Sequence, residues 1–186
     1  MTEDNRIQKT KSLLKHALLE RLIGEDISDI TVSSLCDHAG VSRTSLYKHY
    51  RNTGELLDEA MDDLLNETMN TRPAFFACLT GNRAERTVPM CVLLRNDPRF
   101  RAILGNDVMS ERFCRKIEAH FDNMVRDRVA DISSLSEEDM RVLFSYQISG
   151  CIAAVRRSMN ESDADWDRKK RTIDSFLRRA YHLKNR

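Results

Sequence analysis

The chain has 186 residues and a mass of 21.6 kDa, enough for one domain or two small ones sharing a core. Lys and Arg number 30 against 29 Asp and Glu, a formal net charge of +1, which excludes a polycation that coats nucleic acid by bulk charge and an acidic disordered tail. Hydrophobic residues are 41% of the chain with only 6 Gly and 3 Pro, so a helix-rich chain that buries its own core is expected.

The longest apolar stretch, Val88 to Leu94, is far shorter than a membrane-spanning helix and contains Pro89. The first residues, Met1-Thr2-Glu3-Asp4-Asn5, are polar, so no leader is expected there. The five cysteines, Cys36, Cys78, Cys91, Cys114 and Cys151, are odd in number and form no CxxC pair. They read as reduced thiols of a cytoplasmic protein.

Apolar residues at helical spacing, Ile7, Leu14, Leu18 and Leu22, predict a first helix from about residue 5 to Leu22. Thr31 is a good N-cap for a short second helix with Val32, Leu35, Cys36 and Ala39 on one face, and Gly40 stops it. Ser42 caps a third helix, Arg43 to about His49. A fourth starts near Asn52 or Thr53 and carries Leu56, Leu57, Ala60, Met61 and Leu64. Thr71-Arg72-Pro73 breaks the pattern. Short pieces follow around Phe75–Leu79 and Val88–Arg95, punctuated by Gly81-Asn82 and Asn96-Asp97-Pro98. A longer helix holds Phe113, Ile117, His120, Phe121, Met124 and Val125. Ser136-Glu137-Glu138-Asp139 opens the strongest pattern, running from Met140 to Val155, and a last helix carries Trp166, Ile173, Phe176, Leu177 and Tyr181. No segment alternates at period 2 long enough to be a strand, so the fold class is all-α.

Charge is uneven along the chain. Arg6, Lys9, Lys11 and Lys15 lie between Asp4 and Glu20 with no acid among them, and Arg43, Lys48 and Arg51 lie between Asp37 and Glu55 likewise. Glu55, Asp58, Glu59, Asp62, Asp63 and Glu67 then form an acidic run. The second basic window coincides with a helix-turn-helix: a helix ending at Ala39-Gly40, a turn Gly40-Val41-Ser42, and a helix from Arg43. Val41 and Leu46 are expected to face inward. Arg43, Thr44, Ser45 and Lys48 would face outward on a helix slim enough for the major groove, where arginine and lysine reach guanine edges or phosphates and hydroxyls exchange hydrogen bonds. Tyr47 and His49 are placed at the backbone on the groove edge. Thr31, Ser33 and Ser42 stand at helix N-termini, where free backbone N–H groups can hold a phosphate.

The stretch Ile30 to Tyr50 resembles the DNA-binding signature of the TetR/AcrR regulators. The matching pieces are T-V-x-x-L at Thr31 to Leu35, A-G-V-S at Ala39 to Ser42, and L-Y-x-H-Y at Leu46 to Tyr50. The resemblance covers roughly the first 65 residues. Two departures stand out: Thr53-Gly54 occupies the place where the family often has a phosphate-touching lysine, and Asp29-Ile30-Thr31-Val32 with Arg51-Asn52 is closer to the dihydroxyacetone-kinase-regulator branch.

The resemblance implies a helix-turn-helix DNA-binding domain over 1–52, a connecting helix over 53–72 and a helical ligand-binding and dimerisation domain over 73–186. It implies a homodimer on a palindromic double-stranded DNA operator, a repressor released by a small-molecule effector. In that frame Phe76, Met90, Phe113, Phe121, Met124 and Phe144 are candidates for an effector cavity, against the plainer reading of core. Ile148, Ile152, Val155, Ile173, Phe176 and Leu177 are candidates for the dimer seam. Two rivals keep the fold: control by a partner protein instead of a small molecule, and an interaction protein that has lost DNA binding. No nucleotide-binding loop, nucleophile elbow or zinc-protease motif is present, so no enzyme, cofactor, metal site or membrane partner is expected.

Overall fold

The computed structural model of the chain describes residues 3–70, 88–128 and 136–180. Among them there is no strand. The described residues form nine α-helices in the order α1 (Glu3–Leu22), α2 (Val32–Ala39), α3 (Arg43–Tyr47), α4 (Thr53–Asn70), α5 (Met90–Asn96), α6 (Pro98–Gly105), α7 (Asp107–Arg128), α8 (Glu137–Ser158) and α9 (Asp163–Ala180), with a 3-10 turn at Ile27–Asp29. The fold is all-α, as the periodicity predicts. The piece expected around Phe75–Leu79 lies outside the described residues, as do Phe76, Tyr181 and the side chain of Met124.

The chain divides into two compact units, Met1–Glu67 and Thr68–Arg186. In the first, α1 packs on α2 and α3. Its buried residues are the apolar faces read from the sequence: Leu14, Leu18 and Leu22 of α1, Leu35 and Cys36 of α2, Leu46 of α3, and Leu56, Leu57, Ala60, Met61 and Leu64 of α4. Residue Ile30 and the ring of Tyr50 complete this core.

In the second unit α5 packs on α6 and α8, and α6 and α7 both pack on α8. The α6 helix has no counterpart in the sequence reading, which treats Asn96-Asp97-Pro98 as a break. The break is also a start. Asp97 caps the new helix by accepting the backbone N–H of Arg99 at 2.9 Å, and Pro98 fills the first position, where its missing N–H costs nothing. Phe100, Ile103 and Leu104 are its buried face. Phe121 and Phe144 stack, and Phe100 meets Phe113 at a tilt with 5.5 Å between ring centres.

Two arginines tie down the turn between α8 and α9. Arg95, only 6% exposed, donates to the carbonyls of Ser158 (3.2 Å) and Glu161 (2.7 Å) and to the Asp163 carboxylate (2.7 Å). Its guanidinium lies over the Trp166 ring, 5.7 Å from the centre. Arg101 donates to the Met159 carbonyl at 2.6 Å and to Asn160 at 3.2 Å.

Candidate nucleic-acid interface

The helix-turn-helix is built from local hydrogen bonds. The Thr31 hydroxyl accepts the backbone N–H of Ser34 at 3.1 Å, capping α2. Gly40 ends that helix at φ 63°, in the left-handed region where a side chain is strained. The N–H of Val41 then reaches back to the Cys36 carbonyl at 3.0 Å, which closes the turn. The Ser42 hydroxyl accepts the N–H of Ser45 at 3.2 Å and caps α3. After Tyr47 the chain turns out through Lys48, and the N–H groups of His49 and Tyr50 both bond the Leu46 carbonyl at 2.9 Å. Leu46 (0% exposed) and Tyr50 (2%) anchor the helix from beneath.

Those anchors decide which side chains face out. Arg43, Thr44, Tyr47 and Lys48 are exposed, Ser45 and His49 half-buried. Among the described residues neither Arg43 nor Lys48 makes an ion pair or a side-chain hydrogen bond. Thr31, Ser33 and Ser42 are also exposed, but Thr31 and Ser42 are already engaged as caps, and the Ser45 hydroxyl lies 2.9 Å from that of Ser42. Val41, read as inward-facing, is half-buried.

The start of α4 bears on the missing lysine. The Asn52 side chain accepts the N–H of Glu55 (2.9 Å), while the Glu55 carboxylate accepts the N–H of Arg51 (2.7 Å). This is a variant of the capping box, in which the carboxylate reaches the residue before the cap. A carboxylate thus complements the positive end of α4, while the exposed Arg51 is the cation next to that helix end.

The basic run of α1 is only partly available. Lys11 bonds the Glu59 carboxylate at 2.9 Å, Lys15 bonds it at 3.0 Å and also pairs with Asp63. The Lys11 ammonium sits 5.3 Å from the centre of the Tyr50 ring. Of the four cations read as uncompensated, two therefore serve α1–α4 attachment. Burial by itself raises the Glu59 carboxyl, but the two ammonium groups more than reverse this and hold its pKa at about 2. Burial likewise pushes the Tyr50 phenol up, with the Glu59 charge adding to it.

The sign of the pH effect follows. The folded pKa of Glu59 lies below its ordinary value, so the carboxylate stabilises the fold above about pH 4.5 and loses that contribution as the pH falls toward 2. In melting experiments, wild type should exceed Glu59→Gln in stability at pH 7, and the difference should vanish by about pH 2. A difference independent of pH would place the contribution in packing instead.

Phe113, Phe121 and Phe144 are buried and pack in aromatic pairs within the unit. Met90 lines a cavity of about 30 Å³ between α5, α8 and α9, room for one or two waters. Of the seam candidates, Ile148, Ile152, Val155 and Leu177 are buried inside their own unit, Ile173 is half-buried and Phe176 is 55% exposed. The exposed apolar residues of α8 are Val142 and Tyr146, each 66% exposed, with exposed Gly150 and Ala153 further along the helix. Their spacing of three or four residues marks an outward face, apart from the inward one that carries the seam candidates.

No family model and no curated protein matches the chain. Solved structures do. One described as "Dihydroxyacetone kinase operon activator DhaS" superposes with a TM-score of 0.62 at 16% identity, over 95% of this chain and 98% of that one. A TetR transcriptional regulator from Streptococcus agalactiae 2603V superposes with a TM-score of 0.55 at 21% identity, over 92% and 97%. The chain shares the all-α fold of these two structures. No described helix is long and apolar enough to cross a membrane.

Proposed function

We propose that the chain is a sequence-specific DNA-binding regulator that acts as a homodimer on a palindromic operator in the cytoplasm, repressing the genes whose control region it occupies. One observation carries this reading. The α3 helix is anchored by a fully buried Leu46 and turns Arg43, Thr44, Tyr47 and Lys48 to solvent with both cations unpaired. A monomeric surface has no need of such a helix, whereas a major groove admits one. The division at residue 67 supports an N-terminal reading unit and a second helical unit that joins the copies. For that union the exposed Val142, Tyr146 and Phe176 are the better candidates, because Ile148, Ile152, Val155 and Leu177 keep at most 5% of their surface exposed.

The test is selection of the purified protein against random duplex DNA, followed by titration of the winners across a salt series. The expected result is a palindrome whose affinity falls steeply with salt. Arg43→Ala should then cost about 1–3 kcal/mol at one base position of each half-site, and Lys48→Ala should weaken all sequences alike and lower the salt slope by about one. Failure to enrich any sequence at low salt overturns the proposal.

A second reading concerns the signal. Among the described residues expected to line an effector cavity, Phe121 stacks on Phe144 and Phe113 packs against Phe100. The cavity beside Met90 holds about 30 Å³, against roughly 300 Å³ or more for small-molecule sites, and the larger space of about 580 Å³ between α8 and α9 is an open groove that none of those residues lines. This favours release or recruitment by a partner protein over a ligand buried at those positions.

A further inference from the structure

We infer that Cys91 and Cys151 are a dithiol pair which a water-sized peroxide converts into a disulfide joining α5 to α8. Both thiols line the cavity between α5, α8 and α9. The two helices that carry them pack directly on each other, and the Cys91 charge acts on the Cys151 thiol. Both cysteines are free and only half-buried, so small molecules reach them. The cavity's volume, about 30 Å³, suits hydrogen peroxide, which is little larger than the one or two waters that would fill it. Trp166 also lines it, and its Nε1–H is a buried donor with no hydrogen-bond partner among the described residues. The Lys170–Asp174 ion pair, at 2.5 Å, lines the same space.

The chemistry balances without another reactant. One cysteine, as thiolate, attacks a peroxide oxygen: an S–O bond forms, the O–O bond breaks and hydroxide leaves, giving a sulfenic acid. The second thiolate attacks that sulfur: the S–S bond forms, the S–O bond breaks and hydroxide leaves again, to be neutralised by the two thiol protons. Two thiols and one peroxide become one disulfide and two waters. The groups that face the pair set the pace. Burial pushes Cys91 up to about 11, with Lys170 of α9 opposing it and Asp174 of α9 adding to it. Burial pushes Cys151 up to about 12, with Cys91 and Asp174 adding and Lys170 opposing. Thiolate is therefore scarce at neutral pH, and oxidation accelerates as the pH rises.

The experiment reads covalent chemistry and is independent of any DNA-binding result. The full-length protein is treated with hydrogen peroxide, alkylated, digested without reduction and mapped by mass spectrometry. The expected product joins the peptides of Cys91 and Cys151 within one chain, is about 2 Da lighter than the two free thiol peptides together, and disappears with dithiothreitol. Its rate of formation should rise about tenfold per pH unit between pH 7 and 9. Cys91→Ala should abolish the product, and oxidation should raise the melting temperature of wild type but not of this variant. Recovery of both thiols unlinked, singly oxidised or joined to Cys114, or a rate that is flat with pH, would overturn the inference.

Discussion

Replacing Arg95 by alanine should destabilise the second unit by about 3–4 kcal/mol, from the loss of two or three charge-assisted hydrogen bonds at roughly 1.5 kcal/mol or more each. The side chain is nearly inaccessible, and its partners are mostly backbone: the carbonyls of Ser158 and Glu161 lie at the end of α8 and in the turn to α9. Both would be left without this donor in a place water reaches poorly. The Asp163 side chain contributes less, because it is 91% exposed and water replaces the lost partner. The Trp166 ring loses the cation above it and the packing of the arginine stem. Arg95→Lys should recover little. One ammonium cannot reproduce a planar fork that bonds three oxygens on different residues. Chemical denaturation of both variants checks this; full stability of the lysine variant would mean that charge alone, not the fork, holds the turn.

Leu46→Ala should cost the first unit about 3 kcal/mol, within the range for emptying a fully buried leucine site. Leu46 has no exposed surface and is the one buried side chain of the five-residue α3. So short a helix has no stability of its own, and its orientation depends on that contact, aided by the Ser42 cap. The same variant should therefore lose sequence-specific DNA binding far beyond what its melting temperature explains. Tyr47→Ala is the control. Its side chain is 58% exposed, so stability should stay within about 0.5 kcal/mol of wild type while DNA affinity falls. If Leu46→Ala melts early yet binds the selected operator with unchanged affinity when folded, α3 is not the reading element. That result would favour an interaction protein that shares the fold.

These two residues differ in how legible they were. Leu46 belongs to a signature whose every part acts over a few residues: a capping threonine, a left-handed glycine, a capping serine and an inward leucine. Short-range geometry of that kind is written in residue order, and the structure reproduces it at Thr31, Gly40 and Ser42. Arg95 carried no local signal. Its partners lie 63 to 68 residues away, and an isolated arginine at the end of a short helix reads as surface. The α6 helix was legible in principle, since Asp97 before Pro98 is a start signal as well as a stop.

The helical class, the helix-turn-helix and the exposure of Arg43, Thr44 and Lys48, though not of Ser45, are written in residue order, because caps, turns and amphipathic faces depend on neighbours within one or two turns. Tertiary structure decided the rest. It engaged Lys11 and Lys15 with Glu59, 48 and 44 residues away, and so removed two of the cations that composition had left free. It stacked Phe121 on Phe144, where periodicity cannot tell a ring that fills a core from one that lines a cavity. It also turned Ile148, Ile152 and Val155 inward and Val142 and Tyr146 outward. An apolar stripe records only that a face is to be covered, and whether its own unit or a second copy covers it is fixed by packing across the whole chain.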